Sequence, residues 1–152
     1  MSLLQTHQRI AAVFVTGACL LLTSLSGLTG CAFIAHHSFA QPSTDWQSRT
    51  GQLQYRTGGV SVMGDVLVRF SKAGDFELTF SKGPGVNLFV IRQDANFAQV
   101  RSSLTRLTWS GPPASAPKQL RGWLSLREKL LANPDRRVIR HTADGESFVF
   151  RF

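Results

Sequence analysis

Residues 65–80 read DVLVRFSKAGDFELTF, and the fold follows from how that stretch alternates. Val66, Val68 and Phe70 fall on one side of the first half. Phe76, Leu78 and Phe80 fall on one side of the second, with Glu77 and Thr79 opposite. Successive side chains of a strand point to opposite faces, so a period of two marks a half-buried strand. Ser71-Lys72-Ala73-Gly74 between the halves is turn chemistry, and the whole predicts an antiparallel hairpin. The same pattern continues upstream. Gly51 to Arg56 is a strand, turned by Thr57-Gly58-Gly59 into Val60-Ser61-Val62. Downstream, Ser81-Lys82-Gly83-Pro84-Gly85 reverses the chain into Val86 to Arg92, which is almost wholly apolar and therefore predicted to be central. Gln93 to Asn96 turns into Phe97 to Arg101, and Leu104 to Trp109 closes the run.

Gly111 to Pro117 breaks the alternation. A helix is predicted over residues 117–132, with a proline in its first turn and Asn133-Pro134 as its stop. Leu120, Trp123, Leu124, Arg127 and Leu131 form one stripe, widened by Leu126 and Leu130. A last hairpin joins Arg137–His141 to Glu146–Phe152, with Phe148, Phe150 and Phe152 on one face. The expected class is mainly β (α+β): a curled antiparallel meander sheet of about eight or nine strands, with one helix packed on its concave face. That domain spans 51–152.

The start of the chain reads differently. Met1 to Arg9 is polar, and Ile10 to Leu22 is an uncharged apolar stretch of the length of a signal h-region. Leu28-Thr29-Gly30-Cys31 then resembles the lipobox of bacterial lipoprotein signals. That resemblance implies a signal peptide over 1–30, cleavage before Cys31, and a diacylglycerol and an N-acyl chain on Cys31, with no other cofactor. More than one acyl chain gives stable anchoring where one does not. Ala32 after the cysteine implies, by the same resemblance, the outer membrane, facing the periplasm. Three readings compete: an uncleaved anchor helix over Ile10 to Ile34, a stretch long enough to span a bilayer, an ordinary signal cut at an A-x-A-like site, of which no strong one stands near, and a chance cysteine at Cys31. Residues 31–50 have no period and read as a flexible tether.

Composition bounds the rest. Of 152 residues, 43% are hydrophobic and 17% charged, which suits a packed core rather than disorder. Lys and Arg number 17 against 9 Asp and Glu. The surplus favours anionic partners; nucleic acid fits the charge alone, and export argues against it. Cys19 and Cys31 both precede the domain, which excludes a disulfide scaffold or thiolate zinc site within it. His36 and His37 have no further ligand cluster beside them, so no metal site is expected.

No catalytic motif is present: neither a G-x-S-x-G elbow nor a glycine-rich phosphate loop nor H-E-x-x-H. His141 could pair with Asp144 as a general base, but a histidine beside a turn aspartate is more often structural. No catalytic residue is assigned and no enzyme is expected. The aromatic residues of the strands and helix are more informative. Phe70, Phe76, Phe80, Phe89, Trp109 and Trp123 either make a plain core or line an apolar cavity between sheet and helix.

Gly51-x-Leu53-x-Tyr55, the Asp65 to Phe70 strand, Asp75 to Phe80 and the Gly83-Pro84-Gly85 reversal, behind a lipobox, resemble the LolA/LolB lipoprotein-carrier superfamily. In that family an antiparallel half-barrel curls around a helical lid and carries acyl chains. The resemblance implies a non-catalytic domain that binds lipid or lipoprotein acyl chains. The chain is shorter than the family, lacks a helical segment before its first strand and has one candidate lid helix, so no functional residue is transferred by position. The alternative is a tethered interaction module that holds an envelope protein or anionic glycan on its basic surface.

Overall fold

The computed structural model describes residues 37–152. Eight strands follow in order: β1 (Gln47–Thr57), β2 (Val60–Phe70), β3 (Phe76–Ser81), β4 (Asn87–Gln93), β5 (Ala98–Ser102), β6 (Leu107–Gly111), β7 (Val138–Ala143) and β8 (Glu146–Arg151). A 3-10 turn (Pro113–Ser115) and helices α1 (Lys118–Leu124) and α2 (Leu126–Leu131) lie between β6 and β7. All strands join one antiparallel sheet in the order β6-β5-β4-β3-β2-β1-β8-β7. The mainly-β reading holds. The sequence suggests a meander throughout, but only β1 to β6 follow one. After the helices the last hairpin returns to the opposite side of the sheet, where β8 pairs with β1 and β7 becomes an edge.

Two strands are longer than their alternation suggests. β1 starts at Gln47 rather than at residue 51, because polar residues there have partners that a periodicity argument cannot see. Arg49 donates to the carbonyls of Asn133 (3.3 Å) and Arg136 (2.6 Å), and its guanidinium lies 3.8 Å over the Phe152 ring. β2 runs unbroken from Val60 through Gly64. Gly64 faces the register shift between Phe80 and Ser81, and a Cβ on it would collide with the Ser81 carbonyl and lie 2.9 Å from the Phe80 ring. Only glycine permits that close approach of two strands.

The predicted helix is a single run with a hitch. Ser125, between α1 and α2, keeps helical φ and ψ of −68° and −14°. Its hydroxyl lies 2.7 Å from the Gly122 carbonyl and 2.7 Å from His141 Nε2. Serine in a helix commonly bonds back to the preceding turn in this way, and His141 of β7 meets the same hydroxyl. The helices cover one face of the sheet. Leu53, Val66, Val68, Phe76, Leu78, Phe80, Ile91, Phe148 and Phe150 from the strands are buried with Leu120, Trp123, Leu126 and Leu130. Trp123 is central: its ring stacks on Phe89 at 3.9 Å, meets Phe148 edge-on at 5.0 Å and lies 4.8 Å from Tyr55.

On the other face Glu77 bridges Arg69 (2.6 Å) and Arg92 (2.9 Å) across β2, β3 and β4. Residues 37–46, read as part of a tether, meet the domain at its β4–β5 turn. His37 Nε2 lies 2.5 Å from Asp94 and its ring stacks on Phe97 at 4.5 Å. Asp94 titrates below its ordinary value: burial would raise it, but the Asn96 and Phe97 amides and His37 outweigh that. The predicted signal segment, Cys19, Cys31 and His36 lie outside the described residues. Among the described residues no helix is long and apolar enough to cross a membrane.

Candidate functional site

At one end of the sheet the β1–β2, β5–β6 and β7–β8 turns gather around the start of α1. They enclose a cavity of about 450 Å³ that opens to solvent. That lies within the range of small-ligand sites, about 300–1,000 Å³. Tyr55, Val62, Phe89, Leu104, Trp123 and Glu146 are among its walls. The alternation explains which residues reach it. Tyr55, Val62 and Phe89 occupy inward positions where the strands run past the helix start, and Trp123 is the helical side chain that closes the cavity against Tyr55 and Phe89. Val60 and Leu104, both exposed, carry the apolar lining out to the rim.

One wall is polar. Glu146, the first residue of β8, is only 7% exposed. The Tyr55 hydroxyl donates to its Oε1 at 2.5 Å, while Oε2 is buried with no partner among the described residues. Glu146 rests against Gly122 of α1, where a Cβ would run into Oε2. Burial pushes its carboxyl above the ordinary carboxylate range, with the Asp144 charge adding to this and the Tyr55 bond opposing it. Tyr55 is raised to about 12, by burial first and by Glu146 second. Asp144 and Lys118 also border the cavity, and no ion pair joins Lys118 to Glu146.

Of the aromatic residues singled out in the sequence, Phe89 and Trp123 line this cavity. Phe76 and Phe80 do not: they are buried in the packed core under the helix, at 1% and 0% exposure. Phe70 is buried at the opposite end of the sheet, beside Leu131 and Pro134. Trp109 sits half-buried on edge strand β6, against Gly111. The reason is position along the strand: Phe76 and Phe80 lie in the packed core and Phe70 toward the helix end at Leu131, whereas the cavity lies at the helix start, bordered by Lys118, Gln119 and Trp123. Tyr55, Glu146 and Gly122 are site residues that sequence reasoning missed. A signal for Glu146 exists, since Glu146-x-Phe148-x-Phe150 puts an acid on the face of two core phenylalanines.

His141 does not pair with Asp144 but with Ser125. Its pKa is lowered by burial first and by the Lys129 charge second, so the ring is neutral at physiological pH. A serine hydroxyl beside a neutral histidine is the opening geometry of a nucleophile and base. Here the same hydroxyl also meets the Gly122 carbonyl inside the helix, so the pair ties β7 to the helix. Among the described residues no group of three or more His, Cys, Asp or Glu is placed to hold a metal ion. No protein-family model matches the chain, and no curated protein matches it significantly.

Proposed function

We propose that this chain is an envelope lipoprotein, held at the outer membrane by acyl chains on Cys31, whose domain binds an apolar ligand such as a lipid acyl chain without catalysing a reaction. The observation that carries the reading is the cavity of about 450 Å³ at the sheet end, walled by Val62, Phe89, Leu104 and Trp123. Apolar clefts with a few placed polar groups are the usual form of small-ligand sites. A sheet curled around the helix, with the helix on the concave side, belongs to the same reading. Trp123 approaches both Phe89 of β4 and Phe148 of β8, at 3.9 and 5.0 Å. Those strands are four steps apart in the sheet, about 19 Å if it were flat. One ring reaching both supports the curl, and the curl is what the resemblance to the lipoprotein-carrier half-barrels implies.

The test is uptake of a neutral apolar dye by the purified protein. Saturable binding displaced by unlabelled amphiphile supports the reading, and no uptake rejects it. The anchor is tested separately. Cys31→Ser should release the protein from membranes and remove an acylated amino terminus from its intact mass; retention of either rejects lipidation.

A second reading, the interaction module, is favoured by one observation. Arg56, Arg140 and Arg151 are exposed on the outer face of β1, β7 and β8, and none has an ion-pair partner among the described residues. That reading expects recovery of an envelope protein or anionic glycan that salt abolishes.

A further inference from the structure

The cavity carries a chemical preference at its polar wall. We infer that its ligand is an amphiphile whose head bears a primary ammonium, seated against the Glu146 carboxyl beside the Tyr55 hydroxyl. The inference rests on the reading of the cavity as an apolar-ligand site. Glu146 is more than nine-tenths buried, yet it has no cationic partner, and only one of its oxygens has a hydrogen-bond donor. The other charged groups at the cavity are Asp144, of the same sign, and Lys118 at the rim; the remaining walls are apolar or, at Thr57, Thr105 and Gln119, uncharged. A buried carboxyl with an unmade bond costs free energy that folding alone does not recover. A head carrying positive charge at the carboxyl supplies the missing counter-charge, and charge-assisted bonds are the stronger kind.

Fatty acids meet the opposite situation, because a second carboxylate would lie against Glu146 and Asp144. Lys118 at the rim is the one cation that could stand in for the ligand, and it is exposed and unpaired with Glu146. The raised pKa of Glu146 is in keeping with a site whose counter-charge arrives from outside.

The experiment uses the full chain carrying Cys31→Ser and phenylnaphthylamine, a neutral apolar dye, displaced by decylammonium, decanoate or decanol. Decylammonium is expected to displace the dye at a concentration about tenfold or more below decanoate, with decanol between them. Glu146→Gln keeps the side chain's size and its acceptor for Tyr55, so dye uptake should persist while the three compounds converge to within about threefold. Lys118→Gln should widen the preference for decylammonium. Equal displacement by all three on the unaltered site, or an advantage for decanoate, overturns the inference while leaving the apolar cavity standing. A preference that survives Glu146→Gln also overturns it. Failure of the dye to bind at all overturns the cavity reading and this inference together. Two sources of such a head are separated by further arms: phosphatidylethanolamine against phosphatidylglycerol, and a diacyl lipopeptide with its terminal amine free against the same peptide acetylated. The free-amine member of either pair should displace the dye better.

Discussion

Gly122→Ala puts the packing of helix on carboxyl to a direct test. In an exposed helix interior this change stabilises by about 1 kcal/mol, because alanine restricts the unfolded chain and suits the helix. At Gly122 the added Cβ would collide with Glu146 Oε2 and stand 3.3 Å from the Ala143 carbonyl. The carboxyl is the end of a side chain but is not free to swing, being buried and bonded to Tyr55. Displacing it breaks that bond, worth about 1.5–3 kcal/mol when one partner is charged. Lifting the helix instead loosens the neighbouring Trp123 from Phe89, worth about 0.5–1.5 kcal/mol in ring contact alone. Ring contact is only part of the second cost, so the first route sets the estimate: about 1.5–3 kcal/mol lost less about 1 gained leaves about 0.5–2 kcal/mol of destabilisation. Equilibrium urea unfolding followed by tryptophan fluorescence measures it. The control is the same substitution on Glu146→Ala, where the obstructing atoms are gone. There Gly122→Ala should be neutral or stabilising, giving a coupling of about 1 kcal/mol or more between the two positions. Stabilisation of the unaltered protein by Gly122→Ala, or additive effects of the two changes, would refute the argument.

The cavity and the core separate cleanly by mutation. Phe80→Ala, deep under the helix, should cost about 3–5 kcal/mol, whereas Val62→Phe should fill the cavity, reduce dye uptake and leave the urea midpoint close to the original. Equal loss of stability from both would contradict their placement. Glu146 should also leave a pH signature. Its folded pKa lies above the ordinary value of 4.5, so it costs nothing while protonated in both states. As pH rises from that value through the raised one, the unfolded state releases its proton first and stability falls. Glu146→Gln should therefore lose less stability than the unaltered protein over that rise, and superimposable pH profiles would contradict it. His141 works in the opposite direction, since its folded pKa lies below 6.5. Stability should be fully present above 6.5 and decline as pH falls from there through the lowered value, a slope that His141→Asn should flatten in acid-unfolding measurements.

The alternation around Asp65–Phe80 determined the strands, and the Pro117 to Asn133-Pro134 frame determined the helix, because both signals are local. Neighbours in a strand or a turn of helix meet whatever the rest of the chain does. The inward burial of Phe76, Phe80, Phe148 and Phe150 was legible for the same reason. Which strand lies beside which was not. Only tertiary structure placed β8 against β1 and left β7 at the edge, since pairing across a long connection depends on which hydrophobic faces close over the helix. The extension of β1 to Gln47 likewise rests on Arg49 finding the Asn133 and Arg136 carbonyls, partners more than eighty residues away. The cavity belongs to the same class. Tyr55, Gly122 and Glu146 are ordinary residues in sequence, and they become a site only because three separate elements bring a hydroxyl, a bare backbone position and a carboxyl to one point.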